Sequence, residues 1–467
     1  MNSGEASLLS PWLLAVAALA LYAVPLAAGG GLFAPVHDGM VFNSMLTHLL
    51  RGRFDVAPAT IGFEGFARNG RIYSYVGVVL ALVRLPLLLV GGIGQDATRV
   101  SCLVASVLAV WCVADAARTA HRAAGASPAM AAILAMAILF GPFYGFLRPS
   151  IYQEVVDWDG ALAAWFVLLA VRGLLRDEGF TTRRLCWMAV AAGLVLNTRV
   201  STAIGLYAAL GLLLLRLAWL EGGGWRGLVP RAFTRRFVAP LIILLLFVGV
   251  AASVNYERWG NPLTFANFAD YLWTRHYAPQ RLAVEARGLF SLGRLWLGVL
   301  YYWFPIGAIV GANGQFLLHG PMSYWVESAE FPPSTFLLSD PLLLFLAIAG
   351  WRARAGARVG PGAGMLLAGL AIPAVLIMTA VSMALRYRIE FYPLLQLGAW
   401  LGLARLGPRG QTVGVALLLA TAGVVTNFLV LFAYQRIPYG PPSPEFYAAI
   451  GADLRQFTAP VAGLLGR

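Results

Sequence analysis

Long apolar runs separated by short polar breaks dominate the chain. Runs near the roughly 20 residues that a membrane helix needs occur at 9–29, 76–93, 97–117, 129–147, 159–175, 185–219, 236–254, 291–311, 335–351, 361–384, 389–406 and 411–434. The stretch 185–219 is long enough for two helices. Their frequency predicts an all-α, polytopic bundle in which every backbone polar group is satisfied inside a helix. No stretch reads as a linker, so residues 1–467 are expected to form one membrane domain. The first run follows Glu5 with no basic residue before it, which predicts an uncleaved first helix.

The polar breaks differ in sign, and this difference orients the chain. Arginines cluster at 118–122, 172–184, 216–236 and 352–358, with a weaker group at 405–409. Cytoplasmic loops retain such charge. If every run crossed the membrane, these clusters would fall on both sides. Two runs are therefore expected not to cross: 76–93, broken by Arg84 and Pro86, and 291–311, rich in aromatics. About 11 spans follow, within a range of 10 to 13, with the N-terminus inside and the C-terminus outside. The outer side then gathers a first loop at 31–75 containing an amphipathic helix over its apolar middle, and a loop region at 255–334 with an interfacial or re-entrant segment.

Composition agrees with this pattern: 60% of residues are hydrophobic, 12% are charged and the mean hydropathy is +0.74. An ordinary soluble domain is about one quarter charged. The 34 basic residues are all Arg, against 21 acidic residues. No basic stripe interleaves with aromatics, so nucleic acid is not an expected partner. Arg-only usage with abundant Ala and Gly points to a GC-rich bacterial genome, hence to the bacterial inner membrane with an active face that is periplasmic or extracellular. Cys102, Cys112 and Cys186 lack metal-type spacing and read as small core hydrophobes. Nothing matches a phosphate-cradling glycine loop or a dinucleotide fingerprint.

Charged residues on the outer side are few, and each is a candidate for chemistry. Asp38, between His37 and Gly39, opens the first loop, which continues through Glu64, Arg71 and Tyr73. A carboxylate where bilayer meets water is costly unless paired or functional. Asp38 is placed either to cap the following helix or to act as a base, and the two roles are compatible. Glu154, Asp157 and Asp159 precede another apolar run; they form either a solvated helix start or a second carboxylate site. Asp38, Asp157 and Asp159 are the candidate ligands of a possible divalent cation. Arg386, Tyr387, Arg388 and Glu390 form an outer-face turn, with Arg148 and Arg199 at other outer helix ends. A guanidinium there suits a phosphate, or an internal salt bridge to Glu390 or another acid.

The chain resembles the GT-C class of membrane glycosyltransferases, the superfamily that includes protein O-mannosyltransferases and lipid A aminoarabinose transferases. The matching residues are Asp38 after the first helix, 69–73 before an apolar run, the group 154–159, the turn 259–262 and the pair Arg386 and Tyr387. That resemblance implies transfer of a sugar from a polyprenyl-phosphate donor to a glycan, lipid or protein acceptor on the outer face, among membrane lipids. It implies the first-loop acid, Asp38, as base. Many relatives carry Asp-Glu where this chain has Asp38 and Gly39, which leaves Glu64 to supply a second carboxylate. The same composition also suits a secondary transporter, a lipid flippase, or an envelope glycan polymerase or ligase. No internal repeat supports a transporter.

Overall fold

The computed structural model describes residues 8–28, 30–277, 284–304, 324–329, 335–352, 359–406 and 411–435. Parts of the expected 255–334 region, the end of the 291–311 run, and most of the arginine groups 352–358 and 405–409 lie outside these residues. The described chain is a helical bundle with its short strands and 3₁₀ turns outside the long helices.

The helices in its first half are α1 (Pro11–Ala27), α2 (Val41–Leu49), α3 (Val79–Val83), α4 (Leu85–Leu89), α5 (Thr98–Ala124), α6 (Pro128–Leu139), α7 (Pro142–Gly145), α8 (Ile151–Leu175), α9 (Thr182–Leu196), α10 (Val200–Glu221), α11 (Trp225–Ala232) and α12 (Arg235–Trp259). Helices Pro341–Arg352, Ala363–Met378, Tyr392–Leu406 and Gln411–Tyr434 complete the bundle. Among the described residues six segments are long and apolar enough to cross a membrane: Thr98–Ala124, Pro128–Gly145, Ile151–Leu175, Val200–Glu221, Arg235–Trp259 and Val413–Phe432. Shorter apolar helices join them, including Pro11–Ala27 and Ala363–Met378.

One run is too short to span as a continuous helix, and only the first part of another is described. Residues 76–93 form only the five-residue helices α3 and α4, broken at Arg84. Together they rise about 16 Å against the roughly 30 Å of hydrocarbon. Of the run at 291–311, the described residues hold the nine-residue helix Leu295–Trp303, and 305–311 lie outside them.

Small residues let the long helices approach closely. A Cβ on Gly369 would sit 2.2 Å from the backbone nitrogen of Ala209, so Ala363–Met378 lies directly against α10. Gly77 is tied as tightly, its absent Cβ 1.9 Å from the Asn197 carbonyl at the end of α9. Such contacts replace the hydrophobic drive that lipid removes.

Charges mark the two ends. At one, buried Asp115 of α5 accepts from Arg118 at 2.6 Å and from Arg172 near the end of α8. The backbone N–H of Gly360 donates there to Leu174 at 2.9 Å. The 118–122 and 172–184 arginine groups thus share an end. At the opposite end, Thr98 of α5 donates to the Gly39 carbonyl at 3.2 Å, and Tyr152 of α8 donates to Glu64. The first loop therefore caps the end away from those arginines.

That loop is more ordered than its sequence suggested. After α2, strands β1 (Phe66–Arg68) and β2 (Arg71–Tyr73) pair antiparallel, with Phe66 opposite Tyr73 and Arg68 opposite Arg71. Asn69 and Gly70 make the turn with φ of 50° and 72°, as a two-residue hairpin requires. α2 does more than float on lipid, because Val41, Phe42, Met45 and Leu46 are buried in a cluster with Val78 and Leu80.

Candidate active site at the capped end

Asp38 stands in a left-handed turn, φ 61°; it and Asn69 are the described non-glycine residues with positive φ. Its side chain does not cap the following helix. The capping position is Met40, with no side-chain cap bond, while the Asp38 carbonyl accepts from the Val41 N–H at 3.2 Å. The carboxylate is instead turned toward His37 Nδ1 at 2.9 Å and toward Gly62, whose absent Cβ would lie 3.9 Å from Oδ1. Asp38 is 10% exposed and His37 75%. Burial lifts the Asp38 carboxyl above its ordinary range, His37 pulls it back, and the neighbouring Glu64 charge lifts it again.

The turn is held from the residues that lead into α5. Asp96 accepts from the Val36 N–H at 2.7 Å and the Thr98 N–H at 2.9 Å. Its Oδ2 lies 2.0 Å from where a Gly39 Cβ would stand. Gly39 is therefore a steric requirement, since any side chain would overlap the carboxylate that anchors the loop. Gly39→Ala is expected to move the turn and lower activity about tenfold or more, in the manner of small misplacements at reacting groups. Full activity with an unchanged melting temperature would show that the turn tolerates the shift.

Glu64 is gripped by two phenols, Tyr152 from α8 and Tyr271 from the 255–290 region, both donating to Oε2. Burial and then the Glu64 charge push the Tyr271 hydroxyl well above its ordinary range, which keeps it a donor. Tyr271 also stacks on Phe66 with centroids 4.9 Å apart, and Leu272 donates to the Gly65 carbonyl at 3.0 Å.

The opposite side of Tyr152 meets the arginine turn. Arg386 lies 4.6 Å from the centre of the Tyr152 ring and 5.2 Å from that of Tyr387. Arg199 covers Tyr387 at 5.0 Å and pairs with buried Glu390 at 2.7 Å. Ser201 donates to Glu390 at 2.8 Å; Thr202 donates to buried Asp159 at 2.6 Å, and Arg199 approaches Asp159 at 4.0 Å. A continuous chain of contacts thus runs from Glu64 through Tyr152 to Arg386, Tyr387, Arg199, Glu390 and Asp159, and Asp38 faces the start of the Gly62–Glu64 turn.

Other candidate residues lie apart from that chain. Glu154 is fully buried against Arg84, with one N–O contact of 2.6 Å and a hydrogen bond of 2.8 Å. Asp157 is buried facing Cys102 of α5. Arg388 turns into the bundle, where it meets Asp340 and Ser339 and reaches the Tyr392 hydroxyl at 3.0 Å. In the tight 3₁₀ turn Leu385–Phe391, residues two apart point in different directions, which separates Arg386 from Arg388. Arg71 is exposed beside the hairpin turn, and Tyr73 packs on Trp259 at 5.8 Å. Arg148 is half-buried just before α8. Among the described residues no three His, Cys, Asp or Glu side chains gather as a metal shell, and Asp38, Asp157 and Asp159 each face different partners.

No protein-family model and no curated protein matches the chain. Among solved structures its fold is similar to the oligosaccharyltransferase of Archaeoglobus fulgidus, with a TM-score of 0.46 and 15% identity over 92% of this chain and 56% of that one. One structure of that enzyme is tethered to an acceptor peptide containing the NVT sequon. The fold is also similar to ArnT from Cupriavidus metallidurans bound to undecaprenyl phosphate, with a TM-score of 0.44 and 16% identity over 94% of this chain and 74% of that one. The chain spans 56% of the length of the oligosaccharyltransferase it matches.

Proposed function

We propose that the protein is a membrane glycosyltransferase that moves a sugar from a polyprenyl-phosphate donor to an acceptor hydroxyl. The observation that carries this reading is the contact chain joining Glu64, on the turn that Asp38 faces, to the guanidinium groups Arg386 and Arg199. Transfer to a hydroxyl needs a base on one side of the anomeric carbon and anion stabilisation on the other.

In this mechanism Asp38 takes the acceptor proton as its oxygen bonds to the anomeric carbon. The bond from that carbon to the lipid phosphate breaks, and the phosphate oxygen leaves with the electron pair. Arg386 stabilises that oxygen, with Tyr387 beside it, while Arg199 holds the wall of the site through Glu390 and Asp159. Glu154 and Arg388, each closed in an internal pair, are assigned no substrate contact. The acceptor is a glycan, lipid or protein carrying a free hydroxyl.

An open groove of about 830 Å³ supports a lipid-borne donor. It runs between α2, α3, α4 and α12, lined by side chains such as Leu46, Phe54, Leu82, Leu245 and Val250, with no charged residue. An isoprenoid chain fits such a surface, and α2 connects it to the Asp38 turn. We place the site on the outer face of the inner membrane, in a bundle of about eleven crossings, and the position of the first loop at the end opposite the arginine groups at 118–122 and 172–184 supports that face.

The test is reconstitution into vesicles with radiolabelled polyprenyl-phosphate hexoses and pentoses. Release of polyprenyl phosphate that requires Asp38 is the expected result. Movement of donor between leaflets without release, for every donor offered, would replace this reading with a flippase.

The reading also fixes a pH dependence. The base must be ionised, and the Glu64 charge holds its carboxyl up, so removing that charge lowers it. Glu64→Gln is therefore expected to move the acid limb of the kcat/KM profile to lower pH. A limb that stays in place would separate Glu64 from the base.

A further inference from the structure

Tyr152 is the residue through which the two halves of the site touch. Its hydroxyl donates to Glu64, at the end of the Gly62–Glu64 turn whose first residue faces the Asp38 carboxylate, while its ring carries the Arg386 guanidinium 4.6 Å from its centre. It sits at the first turn of α8, behind the Ser150 cap that accepts from the Gln153 N–H at 3.2 Å. Below it α8 runs into the buried core of the bundle, so Tyr152 rises from a rigid element while the groups it touches come from loops.

We propose that Tyr152 is a positioning residue that sets the distance between the base and the anion-stabilising arginine. The inference rests on the function proposed above. A phenol suits this role because its two ends differ chemically: the hydroxyl fixes a carboxylate, and the ring face attracts a cation without pairing its charge away. Tyr271 provides the internal comparison. It donates to the same Glu64 oxygen, but its ring stacks on Phe66.

Four variants separate the two ends, assayed with the donor that the wild-type protein turns over. Tyr152→Phe and Tyr271→Phe each remove one bond to Glu64 and are expected to lower kcat by up to about a hundredfold with donor KM unchanged. Tyr152→Leu also removes the ring under Arg386, and donor KM should rise about three- to fivefold besides. Tyr271→Leu, with no arginine among the described residues on its ring, should leave donor KM at the wild-type value.

A shared KM shift in both Leu variants, or wild-type kcat in Tyr152→Phe, would overturn the proposal. Melting temperatures measured beside the kinetics identify a merely structural role, in which apparent kcat falls with the folded fraction in all four and donor KM stays at the wild-type value. Failure here is distinct from failure of the reaction. If Asp38→Asn is inactive while Tyr152→Phe is normal, only the role of Tyr152 falls; if Asp38→Asn is fully active, the transferase mechanism falls with it.

Discussion

Asp38→Asn is expected to lower turnover by about 10²- to 10⁴-fold while leaving the fold and donor binding in place, the usual worth of general-base help. The substitution is unusually clean at this position. Asp38 holds a left-handed backbone conformation, and Asn is among the few residues that accept it readily. The amide matches the carboxylate in size, so the contact with His37 and the packing near Gly62 survive. What disappears is the capacity to take a proton. Asp38→Ala tests something else, because it adds backbone strain to the loss of the base. The measurement is single-turnover transfer beside a melting curve. A variant that transfers at the wild-type rate would remove Asp38 from the mechanism.

Several parts of this site were legible in the chain. A lone acid after the first apolar run, and a pair of arginines in a late polar break, stand out wherever charge is scarce. The helices followed from the apolar runs, and the 185–219 stretch divides into α9 and α10 at the Asn197 turn. The partners were less legible. Glu390 reads as a neighbour for Arg386 or Arg388, yet it pairs with Arg199, 191 positions away, while Arg388 finds Asp340. Periodicity assigns a residue to a face of its own helix and says nothing about which distant helix meets that face.

Tyr152 and Tyr271 carried no signal at all, since an aromatic near a helix end reads first as an interface anchor. The hairpin did carry one. Asn69 and Gly70 are the strongest short turn pair, but flanking strands of three residues are too brief to show alternation. Gly39 read as a departure from the family pattern. The structure gives it a local reason, because the Asp96 carboxylate fills the space its side chain would need.

Removing one member of the Arg84 and Glu154 pair is expected to destabilise the protein by about 3–5 kcal/mol, the cost of stranding a buried charge. Arg84 is 1% exposed and Glu154 is fully buried. Arg84 also donates to Asn43 of α2 at 3.0 Å, and Asn43 in turn donates to the Ile93 and Gln95 carbonyls at 2.7 and 2.8 Å. One guanidinium thus joins α2, the α3–α4 break, the 93–95 connection and α8. Arg84→Met leaves the Glu154 carboxylate alone inside the bundle and loosens α2, which follows directly on the Asp38 turn. Glu154→Gln leaves the guanidinium without its counter-charge. The double variant strands no charge, so it should recover part of the loss, and the shortfall from additivity measures the pair. Cys102 and Cys112 are free and buried whereas Cys186 is half-buried, so in a Cys186→Ser background a thiol-reactive fluorophore reports unfolding directly. Early thiol exposure in both single variants, with partial recovery in the double, would identify the pair as a clamp between scaffold and site. A double variant no better than the worse single would show that Arg84 acts through Asn43 instead, and that the stability of the first loop depends on that hydrogen-bond network rather than on charge.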